Sequence, residues 1–173
     1  MKHFFRFIIV LLLLAGAVAA LIYGAKQYYP QRYTEYIQKY CEEYDVPQTL
    51  VYSVIKCESN YDPTAQSDIG ARGLMQLTPD TFEWVQGKMG VEIEDADALY
   101  DPETNIRAGV YLLSLNLTDF DSTEYALAAY HAGRTAVKKW IADGISEEDI
   151  PYSDTSAYVK KVMNTQKVYN SLY

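Results

Sequence analysis

The chain has almost nothing with which to hold a metal. Two histidines, His3 and His131, and two cysteines, Cys41 and Cys57, stand among 173 residues. They are too few and too scattered for a zinc site of imidazole and thiolate ligands. Excess positive charge is missing as well. Beyond residue 25, 13 basic side chains face 23 acidic ones, a net of −10, and a duplex-binding surface needs a basic face, so nucleic-acid recognition is excluded. Glycine and proline number only nine and six, which excludes collagen-like and low-complexity chains. Sustained period-two alternation is absent too, so a half-buried sheet has no signal. What remains is one domain's length of sequence, 49% hydrophobic, which is enough for a core.

One apolar run stands apart. Phe7 to Ala25 spans 19 residues without a charge, and at ~1.5 Å per residue it reaches about 28 Å, close to the hydrocarbon thickness of a bilayer. Residues 1–26 read as a signal anchor, 27–32 as a linker and 33–173 as an exported domain. A cleaved signal competes, because Lys2, His3 and Arg6 precede the run and Ala17-Val18-Ala19 offers small residues for a peptidase. Leu21-Ile22-Tyr23 carries the run past that site and favours retention. Lys26, Arg32 and Lys39 on the far side weaken the charge rule for orientation. The expectation is a single-pass membrane protein with its domain outside the cytoplasm, with a secreted form as the alternative. In that compartment Cys41 and Cys57 are candidates for a disulfide. Their distances from the turn between their helices place them apart, so two small buried hydrophobes are the favoured reading.

The exported part predicts an all-α domain of seven helices: 33–44, 47–58, 79–88, 102–117, 123–132, 135–143 and 155–172. Pro47, Pro79 and Pro102 each open one, with Thr78 and Asp101 as N-caps. Asp121-x-x-Glu124 resembles a capping box, Gly133 and Gly144 read as stops, and Ser153 or Asp154 caps the last helix. Ser59 to Thr78 is the one long irregular segment, with a length that suggests function.

Two polar residues sit where apolar ones belong. On the helix 47–58, Leu50, Val51, Val54 and Ile55 form a stripe of ~140° with Glu58 in its middle. Poor solvation and the negative end of the helix dipole both raise the pKa of a carboxyl group there, which suits a general acid. Fraying of the last turn into water is the competing reading. Asn105 shares a face with Gly109, Leu112 and Leu113; its amide either satisfies backbone in the 59–78 loop or faces a polar ligand. Gly109 in mid-helix suggests close approach of another backbone. Seventeen tyrosines offer broad faces with polar tips, and Tyr130 and Tyr158 lie near helix ends where a cleft can use them.

These residues carry a resemblance. Glu58-Ser59-x-Tyr61-x-Pro63, followed by Ser67 and by Gly70-Ala71-x-Gly73-Leu74-Met75-Gln76, is similar to the start of the soluble lytic transglycosylase domain, a lysozyme-like family that cleaves bacterial peptidoglycan. Asn105-Ile106-x-x-Gly109-x-Tyr111-Leu112, Ala129-Tyr130-His131-Ala132-Gly133 and Thr155-x-x-Tyr158-Val159 come after it in the family's order. Five ordered elements over residues 33 to 173 make the likeness specific. His131 stands where the family has Asn, and Asp154 and Ser156 where it has Glu and Arg.

The resemblance implies that Glu58 protonates the bond between N-acetylmuramic acid and N-acetylglucosamine, then accepts the muramic C6 hydroxyl proton as that oxygen closes a 1,6-anhydro ring. It implies no metal and no cofactor, with peptidoglycan glycan strands as partner. Ser59 and Ser67 would orient the acid or the acetamido group, Met75 and Gln76 would line the cleft, and Asn105, Tyr130, His131 and Tyr158 would touch sugar or hold the acid's surroundings. A hydrolytic muramidase of the goose-lysozyme kind and a non-catalytic peptidoglycan-binding module are the alternatives. His131 also introduces a group titrating near ~6.5, and a cation beside Glu58 would weaken the acid.

Overall fold

Helix starts obey local chemistry. The computed structural model describes residues 1–173, the Lys2 side chain excepted. Thr78 accepts from the Thr81 N–H at 3.3 Å and Asp101 from the Thr104 N–H at 2.9 Å, with Pro79 and Pro102 at the first helical positions. Eight α-helices result: α1 Lys2–Tyr28, α2 Thr34–Tyr44, α3 Gln48–Glu58, α4 Pro79–Met89, α5 Pro102–Asp119, α6 Thr123–Ala132, α7 Arg134–Ala142 and α8 Ser153–Leu172. Two 3₁₀ turns, Ala96–Tyr100 and Glu147–Asp149, complete the order. Among the described residues extended pairing is confined to two isolated bridges, Gln66 with Arg72 and Arg72 with Leu77. The class is all-α.

Several boundaries differ from the sequence reading. Pro47 is the N-cap of α3, extended at ψ 124°, and helix begins at Gln48. Ser122, not Asp121, caps α6, accepting from the Tyr125 N–H at 3.1 Å. Tyr152 precedes α8 without a side-chain cap, and Asp154 instead accepts from the Thr155 N–H. Helix α1 continues to Tyr28, so the connection to α2 shortens to Tyr29–Tyr33. That connection is docked on α8: the Tyr169 hydroxyl donates to the Pro30 carbonyl and the Tyr173 hydroxyl to that of Tyr29.

Leu50 through Ile55 are all buried, so α3 is enclosed on every side and is not merely amphipathic. It lies chiefly against α8 and also against α2. Burial of a side chain such as Leu50 or Ile55 contributes about 1.5–3 kcal/mol. A smaller apolar cluster of Leu77, Phe82, Val85, Leu99, Ala108 and Leu112 joins α4, the first 3₁₀ turn and α5. Tyr130 packs against both clusters. Cys41 is buried, Cys57 half-buried, and both are unpaired.

The 59–78 loop is tied to α5 by one amide. Asn105, fully buried, accepts from the Met75 N–H at 2.8 Å and donates to the carbonyls of Arg72 at 2.9 Å and Leu99 at 2.8 Å. Gly73, at φ 74°, leaves the room that this amide occupies. Gly109 admits the Met75 side chain, not another backbone as its position suggests in the sequence. Asn105→Ala strands one N–H and two carbonyls, each costing about 1–3 kcal/mol. The expected loss of stability is about 3–5 kcal/mol by chemical denaturation in detergent; a loss below about 1 kcal/mol would show that the loop does not depend on this tie.

Candidate active site

Glu58 is the last residue of α3, and the next three residues determine whether that turn can fray. The Ser59 hydroxyl donates to the Leu74 carbonyl at 2.8 Å, and Asn60 and Tyr61 both take positive φ, reversing the chain. Buried Tyr61 then shares a 2.7 Å hydroxyl contact with Tyr169 of α8. A turn held at three successive residues does not open. Glu58 therefore stays partly buried, and burial pushes its pKa up to about 7 from the ordinary 4.5, against the opposing effects of the Tyr158 hydroxyl and the Lys161 ammonium. The Tyr158 phenol is close enough to act on the carboxyl, although its geometry falls short of a formed hydrogen bond. Burial keeps the Tyr130 and Tyr158 phenols protonated well above the usual range, so both are neutral groups.

Two cavities meet at Glu58. The first, about 430 Å³, is lined by Glu58, Ser67, Gln76, Tyr130 and His131 together with Leu77, Leu112 and their neighbours. It runs on past Thr81 and Tyr130 into a 280 Å³ extension that ends at Trp84 and Arg134. The second, about 800 Å³, lies between α3, α8 and the connection after α1, and Ser59 stands in its wall beside Glu58. In the first cavity the Ser67 hydroxyl accepts from the Ala71 N–H, and the Gln76 amide donates to the carbonyls of Ala65 and Gly73. Tyr130 donates to the Met75 carbonyl at 2.7 Å. His131 stacks on Tyr158 with ring centroids 4.5 Å apart.

Three expected cleft residues are not in the cleft. Met75 and Asn105 are fully buried, Tyr158 is buried with its hydroxyl covered, and none of the three lines either cavity. The first fills the space over Gly109, and the second has its whole amide committed to backbone. Burial lowers the His131 pKa, with the Asp154 carboxylate opposing at 4.0 Å, so the cationic form is disfavoured.

Sequence reasoning passed over Lys161, which donates to the Cys57 carbonyl at 3.1 Å and so sits beside Glu58. A signal existed: Lys161 comes three residues after Tyr158, which puts both on one helix face. Arg32, Lys56, Trp84 and Arg134 were also missed; they reach the cavities from segments far apart in the chain. Among the described residues no group of three or more His, Cys, Asp or Glu side chains gathers to hold a metal.

Residues 35–152 match the family model described as the Transglycosylase SLT domain. The chain belongs to this family. It is 29% identical over 150 residues to the soluble lytic murein transglycosylase of Escherichia coli K12, an alignment covering 82% of this chain and 23% of that protein. It is 32% identical over 155 residues to membrane-bound lytic murein transglycosylase C of Haemophilus influenzae PittGG, covering 82% and 40%. The 70-kDa soluble lytic transglycosylase of E. coli aligns in structure with a TM-score of 0.79 at 28% identity, over 85% of this chain and 25% of that one. A lytic transglycosylase Slt from Pseudomonas aeruginosa, solved as an inactive mutant, gives 0.76 at 27% identity, over 83% and 24%. The chain thus spans less than half the length of these relatives. The fold is the lysozyme-like helical domain that the motifs imply.

Because the folded pKa of Glu58 lies above its unfolded value, the stability linked to its proton is complete below pH 4.5 and is lost as pH rises through about 7. Glu58→Gln removes that loss. Thermal or denaturant unfolding is expected to show the variant more stable than wild type by about 2–3 kcal/mol at pH 8 and nearly equal to it at pH 4. A variant less stable at pH 8 would mean that the carboxyl is solvated.

Proposed function

We propose that the chain is a peptidoglycan lytic transglycosylase held at the cell membrane by α1, with its domain outside the cytoplasm. The carrying observation is that the 430 Å³ cavity holds Glu58, raised to about 7, and among the described residues no second acidic side chain in its wall, Asp80 standing only in the extension beyond Thr81. Most glycosidases need two carboxylates, one as acid and one as nucleophile or base. With one, the acid donates to the glycosidic oxygen between N-acetylmuramic acid and N-acetylglucosamine and is left as carboxylate. That carboxylate takes the proton of the muramic C6 hydroxyl while its oxygen bonds to C1, and the products are a free 4-hydroxyl on one fragment and a 1,6-anhydro ring on the other. No water enters. An intramolecular hydroxyl reacts with a large effective concentration, which compensates for the missing second carboxylate. Ser67, Gln76, Tyr130 and His131 are the proposed sugar-facing groups, with buried Tyr158 acting on the acid and Ser59 fixing the turn behind it. The relatives' names, lytic murein transglycosylases both soluble and membrane-bound, support this reading.

Residues His3–Tyr28 form a helix long and apolar enough to cross a membrane, with none of its apolar window buried in the domain, and this supports the anchor. Residues 1–26, 27–32 and 33–173 are accordingly proposed as anchor, connection and catalytic domain. Carbonate-washed membranes should retain the full-length chain, with the domain degraded by protease added outside. A soluble product starting near residue 20 would show a cleaved signal instead.

Mass spectrometry of fragments released from purified peptidoglycan tests the chemistry. Anhydro ends, lighter by one water than reducing ends, are expected, with at least about 10³-fold less release by Glu58→Gln. Reducing ends would make the chain a hydrolytic muramidase; absence of release by wild type would leave a binding module.

A further inference from the structure

The 800 Å³ cavity has a wall that the proposed chemistry does not use. Arg32 comes from the connection after α1, Lys56 from α3 and Lys161 from α8, and all three reach the same space. Among the described residues none of the three forms an ion pair with a carboxylate. Glu58 is the one acidic side chain in the wall among those residues. The chain has a net charge of −8, yet these three cations converge on one cavity whose wall holds a single carboxyl group.

Two of the cations are held in place. The Lys56 ammonium donates to the Asn60 side-chain oxygen at 2.6 Å and lies 4.0 Å from the centre of the Tyr28 ring, while Lys161 is fixed on the Cys57 carbonyl. Burial lowers the Lys56 pKa, and the neighbouring charges of Arg32 and Lys161 lower it further, as expected of cations facing one another.

We propose that this cavity is a carboxylate-binding subsite for the peptide substituents of the glycan, on the opposite side of the scissile bond from the 430 Å³ cavity. The inference rests on the peptidoglycan reading above. Since Glu58 lines both cavities, a strand cleaved at Glu58 has one sugar on each side of it. Muramic acid alternates along the strand and carries its peptide through a lactyl ether, so a peptide lies within a sugar or two of the acid. Arg32, Lys56 and Lys161 then select strands that keep their peptide carboxylates. A membrane lipid headgroup is the other anion at hand, but a cavity shared with the catalytic acid favours the polymer being cut.

The test uses the full-length protein in detergent micelles on three substrates: intact glycan strands, strands stripped of peptide by an amidase, and intact strands with carboxylates chemically amidated. Wild type is expected to show kcat/KM at least about tenfold higher on intact strands than on either other substrate, mainly through KM. In Arg32→Gln/Lys56→Gln that ratio is expected to fall to about one, and Arg32→Lys/Lys56→Arg should restore it. An equal ratio in wild type and the double variant would overturn the subsite. So would a wild-type ratio of one together with binding to phosphatidylglycerol vesicles that the double variant loses, which would reassign the cavity to lipid. Failure of the function reading looks different: no anhydro fragments from any substrate.

Discussion

Everything at this site depends on keeping one carboxyl group out of water without burying it completely. Three influences act on Glu58, and desolvation is the largest, exceeding the combined pull of the Tyr158 hydroxyl and the Lys161 ammonium toward the ionised form. Their balance leaves the pKa near 7. At that value the group is both protonated often enough to donate and basic enough afterwards to accept. A more exposed position at the end of α3 would return it to the ordinary carboxylate range, and a sealed one would exclude the substrate.

The burial that dominates this balance is maintained by loop backbone, which side chains away from the acid hold in place. The loop after α3 supplies Ser67, Ile69, Ala71, Gln76 and Leu77 to the first cavity, and it has almost no secondary structure of its own to stiffen it. Asn105 supplies stiffness by satisfying three backbone groups at once, Tyr130 holds the Met75 carbonyl, and Ser59 holds that of Leu74. These contacts fall on Met75, its neighbours and α3, so the loop, α5 and α6 cannot move independently of the acid. Met75 itself serves by packing against Gly109. This residue of the motif shapes the site without touching it.

The parts of this arrangement governed by nearest neighbours were legible in the sequence. Thr78-Pro79 and Asp101-Pro102 start helices because capping and proline geometry need only three or four residues. The place of Glu58 on α3 came from helical spacing, and so did the anomaly of Asn105. Cap choice between adjacent residues did not, since Asp121 and Ser122 are equally suited chemically and only the entry angle of the chain decides. Periodicity also could not separate Asn105 facing backbone from Asn105 facing ligand, because both are polar solutions to the same burial. Arg32, Lys56 and Lys161 were illegible for a different reason: they are distant in sequence, and each alone reads as a solvated surface charge.

Their convergence has a structural origin in the end of α1. Tyr29 meets the Tyr169 ring edge-on, Lys26 lies over Tyr173, and the hydroxyls of Tyr169 and Tyr173 take the carbonyls of Pro30 and Tyr29. The end of α1 is thereby fastened to the last turns of α8, the helix that also supplies Tyr158 and Lys161 to the acid. Arg32 is delivered to the second cavity by that same fastening. In the anchored form proposed for this chain, the segment leaving the bilayer would thus be a wall of the proposed peptide subsite. A free tether over Tyr29–Tyr33 would let the domain turn over a wide range, whereas these contacts tie the connection to α8. The aromatic clasp between α1 and α8 therefore couples the proposed anchor to the helix that carries Tyr158 and Lys161.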